Sequence, residues 1–162
     1  MSTQQLTTQA PPELAVWARL LKGHAGLTAE MSARLQREHE LSINDYEVLL
    51  LLSHADDDRL RRVDLANEVK LTASGITRLL GGLEKRGLVE RASCETDARV
   101  SYAVLTEGGR EKLVQASGPY LEAVGAALTD LYSEKELRTL SELLARLPGA
   151  QSEVDPRLCE SG

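Results

Sequence analysis

The first strong pattern in the chain is a stripe of Leu14, Trp17, Leu20/Leu21, His24, Leu27/Thr28, Met31 and Leu35. Its i, i+3/i+4, i+7 spacing predicts one long helix over about 12–40, entered through Pro11-Pro12. At 1.5 Å per residue that helix runs roughly 40 Å, longer than a small lobe needs for itself. Ser42 followed by Asp45 has the form of a capping box, so a second helix begins there and carries Tyr46, Leu49 and Leu52. Apolar residues surround this helix at 48–52, which makes it a central, buried element.

HADDDRLRR then reads as a polar loop leading into a short helix, Val63–Val69. Four residues on, LTASGITRLLGGLEKRGLV opens another helix, with Thr72 as its cap and Ile76, Leu79, Leu80 and Leu83 as its apolar face. Gly75, Gly81 and Gly82 interrupt it, and an interior glycine costs about 1 kcal/mol relative to alanine. Gly81 and, less closely, Gly75 fall near the face that carries Ser74, Thr77, Arg78 and Lys85. Two short helices so closely spaced form a helix-turn-helix whose second member is the reader. Gly87 stops that helix in the manner of a carboxy-terminal cap.

Two β-prone runs, LVER (88–91) and VSYAVLT (100–106), flank the turn-rich tip SCETDAR and predict a hairpin. Thr106 caps a further helix with the stripe Leu113, Ala116, Tyr120/Leu121, Val124, Leu128 and Leu131, which Pro119 should kink or divide. Ser133 and Glu136 form a second capping box before Leu137, Leu140, Leu144 and Leu147, and Pro148-Gly149 end that helix. Residues 1–11 are expected to be disordered and 148–162 to be a flexible tail. The predicted fold class is mostly α with a small β-wing: a winged helix-turn-helix lobe beside a helical region made by the terminal helices.

Composition refines this picture. The chain of 162 residues is 42% hydrophobic but only 3% aromatic, with one Trp, four Tyr and no Phe, so its core must be built from Leu, Val and Ala. Cys94 and Cys159 make no CxxC pair, which points to a reducing compartment. The polar start MSTQQLTTQAPP lacks the layout of a signal peptide, and the longest aliphatic run, VLLLL, is far too short to span a bilayer. A soluble cytoplasmic protein with no membrane partner is expected.

The net charge of −6 argues against nucleic acid until its distribution is considered. Residues 59–104 carry nine Lys/Arg against six Asp/Glu, whereas the remainder carries ten against nineteen. A phosphate meets the local field rather than the total, so an acidic protein with a basic middle is compatible with DNA.

The order of elements, with LTASGITRLLGGLEKRGLVER followed by D-A-R and AVLTEGG, resembles the MarR family of winged helix-turn-helix transcription regulators. The resemblance covers about residues 12–147 and is most specific from Leu71 to Gly109. It implies a reader lobe over about 43–105 and dimerisation helices over about 12–40 and 107–147. Gly81-Gly82 depart from the family, which has larger and often charged residues there. Ala98, between Asp97 and Arg99, replaces a frequent second arginine.

Within this frame the start of the reader helix supplies the small and hydrogen-bonding residues that a major groove admits: Thr72, Ala73, Ser74, Gly75 and Thr77. Arg78 is the candidate for bidentate reading of guanine. Arg99 is placed for an adjacent minor groove, with Asp97 holding it or the turn. Arg61, Arg62 and Lys85 are candidate phosphate contacts.

The resemblance further implies a homodimer on a pseudo-palindromic double-stranded operator, repression, and release by a small aromatic or phenolic ligand. Trp17, His24 and Tyr46 are the candidate ligand-binding residues. Two alternatives stay open: a redox response through Cys94, and a winged-helix module that holds protein rather than DNA. No nucleotide-loop, hydrolase-elbow or HExxH motif is present, so neither an enzyme nor a cofactor is expected. His24, His39 and His54 lie fifteen apart with no ligand spacing, and no metal site is expected.

Overall fold

A computed structural model describes residues 11–94, 97 and 99–150. The expected disordered start and flexible tail fall outside these residues, apart from Pro11 and 148–150. Among the described residues the chain runs α1 (Pro12–His39), α2 (Ile43–His54), β1 (Arg59–Arg61), α3 (Arg62–Glu68), α4 (Ala73–Lys85), β2 (Val89–Ser93), β3 (Ser101–Leu105), α5 (Glu107–Thr129) and α6 (Glu134–Leu144). The mostly-α class with a β-wing is what the structure shows.

Both predicted capping boxes are formed. Ser42 N–H donates to Asp45 Oδ2 at 2.9 Å and Asp45 N–H to Ser42 Oγ at 3.0 Å. Ser133 and Glu136 repeat the arrangement at the start of α6, and these hydrogen bonds hold the Glu136 carboxyl below its usual range. The reader helix α4 ends in a Schellman closure around Gly87 (φ +70): Leu88 N–H donates to Leu83 O and Gly87 N–H to Glu84 O, both at 3.0 Å. Leu83 and Leu88, the hydrophobic pair of that motif, are both buried.

Two expectations are corrected. HADDDRLRR is more than a loop: Asp56–Asp58 form a 3-10 turn and Arg59–Arg61 a strand, after which α3 starts one residue earlier than predicted. Asp57 and Asp58 take left-handed backbone (φ 56 and 54), which turns the chain so that β1 lies along β3. The sheet is antiparallel in the order β1-β3-β2, with Leu60 and Arg91 flanking Ala103. The second correction concerns only one of the two outcomes expected at Pro119: the helix is not divided there, since α5 runs unbroken through it. Gly118 precedes it and has no Cβ to clash with the proline ring, which relieves the usual restriction at that position.

The core lies under the reader helix. Ile76, Leu80 and Leu83 of α4 pack with Val48, Leu49 and Leu52 of α2, Leu65 of α3, Val89 and Ala103 of the sheet, and Leu113 and Ala116 of α5. A buried polar link joins α2 to α5: Tyr46 Oη donates to Ser117 Oγ at 3.2 Å, and Ser117 Oγ donates to Leu113 O at 2.8 Å. The Tyr46 and Tyr120 rings meet at a centroid distance of 4.7 Å.

One joint fixes α5 to the end of the reader. Thr106 Oγ1 donates to Gly87 O at 2.6 Å and accepts from Gly109 N–H at 3.0 Å, while Thr106 N–H donates to Leu88 O. Gly109 lies so close that a Cβ there would stand 2.0 Å from Leu88 O and 2.7 Å from Leu105 Cδ1. The LT-x-x-G run is therefore a packing device. Gly109→Ala should cost about 3 kcal/mol of stability through overpacking, read as a lowered urea midpoint. Gly108→Ala, whose Cβ would make only a 3.5 Å contact, should leave the midpoint nearly unchanged.

Candidate nucleic-acid interface

Thr72 starts the reader helix by accepting from Gly75 N–H at 3.1 Å, and its hydroxyl also meets Ser74 Oγ at 3.2 Å. A Cβ on residue 75 would stand 3.2 Å from Thr72 Oγ1 and 3.5 Å from Leu71 Cβ, so Gly75 has a local role in leaving room for the cap. Thr77 Oγ1 donates to Ala73 O at 2.7 Å; its lone pairs remain able to accept. The flank facing away from the core holds Ala73, Ser74, Thr77, Arg78 and Lys85, all exposed. Among the described residues neither Arg78 nor Lys85 makes an ion pair. A Cβ at Gly81 or Gly82 would meet nothing within 4 Å, so packing inside the chain does not require either glycine.

The other basic candidates separate. Arg61 directly precedes α3 and is held by Asp64, with Nε to Oδ2 at 2.7 Å and Nη2 to Oδ1 at 3.3 Å; these bonds raise its pKa. Arg62 instead lines a notch of about 510 Å³ between α3, α4 and the wing, together with Asn67, Thr77, Arg91 and Ser101. Arg91 Nε donates to Ser101 Oγ at 3.0 Å, which steadies its guanidinium at the wing's base. Sequence reasoning did not single out Arg91 or Asn67 for this surface; Asn67 shares α3 with Arg62, and the hairpin register brings Arg91 to the same notch. At the wing tip Asp97 Oδ1 accepts from Arg99 N–H at 2.9 Å and Asp97 O from Val100 N–H at 3.0 Å. Asp97 thus shapes the turn that presents the exposed Arg99.

Of the three candidate ligand-binding residues, His24 lines the cleft between the long helices, and Trp17 and Tyr46 do not. That cleft, of about 420 Å³, lies between α1, α2 and α5 and also includes Met31, Glu47 and Tyr120. Trp17 is 61% exposed on α1 and lies away from it. Tyr46 is buried one layer deeper, engaged with Ser117 and Tyr120. Burial and then Glu68 push the Glu47 carboxyl above its usual range, and burial, Tyr46 and Glu47 do the same to the Tyr120 hydroxyl.

A helix-turn-helix flanked by an antiparallel hairpin defines the winged helix-turn-helix class. The profile of the MarR family matches residues 39–100. AbsC, a MarR family transcriptional regulator from Streptomyces coelicolor, is 32% identical in a superposition covering 83% of this chain and 90% of that one, with a TM-score of 0.75. Sco3205, a MarR family regulator from the same organism solved in complex with DNA, is 27% identical over 90% of this chain and 92% of its own, with a TM-score of 0.79. The HTH-type transcriptional repressor YetL of Bacillus subtilis is 32% identical over 66% of each chain. This chain belongs to the MarR family of transcriptional regulators. Among the described residues no helix is long and apolar enough to cross a membrane.

The cap is open to direct test. Thr72→Ala should cost about 1 kcal/mol by leaving helix-start N–H groups without their acceptor, whereas Thr72→Ser should retain most of it; urea unfolding followed by circular dichroism distinguishes the two.

Proposed function

We propose that the chain is a homodimeric repressor that reads a pseudo-palindromic double-stranded operator and is released by a small aromatic ligand. The observation that carries the DNA reading is the outward flank of α4, where Arg78 and Lys85 stand exposed and unpaired beside Ser74 and Thr77. Positive side chains held without internal partners are available to bases and phosphates. Arg78 reads a base edge, most simply the two acceptors of guanine. Ser74, Thr77 and the start of α4 contact the groove and its phosphates, and Lys85 meets the backbone further along. Gly81 and Gly82 keep the flank low, so the helix can settle deeply between the strands.

The notch between reader and wing is the natural seat for a phosphate, with Arg62 on one side and Arg91 on the other. Arg99 enters the neighbouring minor groove from the wing tip that Asp97 shapes. Arg61 contributes less, because Asp64 already neutralises it. The complex of Sco3205 with DNA, on a closely superposable chain, supports the same partner here. The description of YetL as a repressor supports the direction of control.

The homodimer is supported by what the single chain leaves uncovered. Leu14, Val16, Trp17 and Leu21 are all more than half exposed on α1, as is Leu131 before α6, and Leu143 and Leu147 are exposed as well. No residue of α6 is buried, although Leu137, Leu140 and Leu144 form a stripe along it. Apolar surface of this extent on the terminal helices marks an interaction site, and a second copy offers the matching stripe. The cleft between α1, α2 and α5 is lined by the middle of α1 and the second half of α5, where an occupant can bias their arrangement and so the separation of the two readers.

Two measurements test the proposal. Fluorescence anisotropy with DNA from upstream of the gene should show binding whose logarithm falls linearly with log salt, and Arg78→Ala should lose about 1–3 kcal/mol of discrimination between that DNA and a scrambled duplex. Equal discrimination in the variant overturns the reader assignment. In sedimentation, the parent should run as a dimer and the Trp17→Glu/Leu21→Glu variant as a monomer with weakened DNA binding; a monomeric parent overturns the assembly.

A further inference from the structure

The cleft between α1, α2 and α5 has a charge character that its size alone does not convey. Its lining is mostly apolar, with Leu27, Met31, Val124 and Leu128 as the walls. Glu47 is the only acidic or basic side chain in that lining besides the imidazole of His24, and no lysine or arginine lines it. Among the described residues the Glu47 carboxylate has neither a hydrogen bond nor an ion pair. Next to it stands Tyr120, whose ring is oriented by Tyr46 from behind. The cleft's volume, about 420 Å³, is that of a small-molecule site.

A half-buried carboxylate without a partner is an electrostatic cost that a cation removes and an anion increases. An aromatic ring beside it adds attraction for an ammonium through its negative face. We propose that this cleft selects an organic cation, an aryl or alkyl ammonium whose charge seats between Glu47 and the Tyr120 ring while its apolar body lies along Met31, Val124 and Leu128. The inference rests on the cleft being the effector site, and it departs from the phenolic ligands that the family resemblance implies. A phenolate or carboxylate entering the cleft would meet Glu47 with no arginine or lysine to answer it. The protein's own phenol there behaves accordingly: burial, Tyr46 and Glu47 all oppose ionisation of Tyr120. The Glu47 carboxyl is itself pushed upward by burial and by Glu68, as expected of an acid lacking a counter-charge.

Three probes of one shape and different charge make the test: phenylbutylamine, phenylbutanol and phenylbutanoate, titrated into the full-length protein by calorimetry and into its DNA complex by anisotropy. The amine should bind about tenfold more tightly than the alcohol and more tightly still than the carboxylate, as one partly screened charge pair allows. Glu47→Gln, which keeps the shape of the side chain, should erase that order, and thermal denaturation checks that the variant is folded. Val124→Trp, which fills the cleft, should abolish binding of all three. Equal or tighter binding of phenylbutanoate, or an amine preference that survives Glu47→Gln, overturns the cation selectivity while leaving the cleft an effector site. Absence of binding by all three, or binding that survives Val124→Trp, overturns the effector reading together with the inference.

Discussion

The arrangement depends on one close approach, Gly109 against the Leu88 carbonyl. At that point the chain has just left the reader helix through Gly87, crossed the wing, and returned to begin α5. Thr106 binds both sides of the crossing, donating to Gly87 O and accepting from Gly109 N–H. Because no side chain fits at residue 109, the start of α5 lies directly on the turn that ends α4. The orientation of the reader is thereby tied to the axis of a helix 23 residues long. Apart from this joint, lobe and helix are connected by the Tyr46–Ser117 hydrogen bond, the Arg110–Asp58 pair and apolar packing, the last of which is non-directional. Hydrogen bonds across a backbone contact supply the angle that packing alone does not fix.

The glycines of the reader helix belong to two different problems. Gly75 answers a local one, since the missing side chain leaves room for the Thr72 hydroxyl to accept from the Gly75 N–H. Gly81 and Gly82 relieve no internal crowding, and each still carries the entropic cost of an interior glycine. The helix tolerates them because its stability comes chiefly from burying Ile76, Leu80 and Leu83 rather than from propensity. The apolar face fixes the helix in place, and the opposite face is then free to be shaped for what approaches it.

Much of this architecture could be read from the sequence because its signals are local. Ser42 with Asp45, Ser133 with Glu136, Thr72, Thr106 and Gly87 each mark an element end by a hydrogen bond spanning a few residues, and the structure forms every one. The failures share a different cause. Asp57 and Asp58 take left-handed backbone, and although aspartate tolerates that conformation, three in a row mark a polar turn without saying where it bends. Strand β1 escaped notice because Arg-Leu-Arg has no β signature of its own; it exists because β3 presents an edge to it. Helical period alone puts Ser74, Thr77, Arg78 and Lys85 on the outward flank of α4, whereas Arg91 reaches the notch beside Arg62 only through the register of the wing strands. The separation of Trp17 and Tyr46 from the cleft has the same origin. Helical spacing places residues on one face of one helix, but how deeply a ring sinks depends on the neighbouring helices.

The proposed reader surface and the proposed effector cleft are linked by the seam between α2 and α5. Tyr46 is buried at its centre, hydrogen-bonded to Ser117, and its ring contacts Tyr120 at the cleft. On the other side, Val48, Leu49 and Leu52 of α2 support the core beneath the reader helix. This buried hydroxyl pair cannot be separated cheaply, because the Tyr46 hydroxyl would lose its partner without gaining water. Movement at Tyr120 therefore either stops at Tyr46 or carries the α2–α5 seam with it, and the Gly109 joint transmits a change in α5 to the end of α4. Under the proposed dimeric, effector-released reading, an occupant of the cleft alters the separation of the readers by preferring one arrangement of this seam, and Glu47 is the acidic side chain it would meet in the cleft's lining.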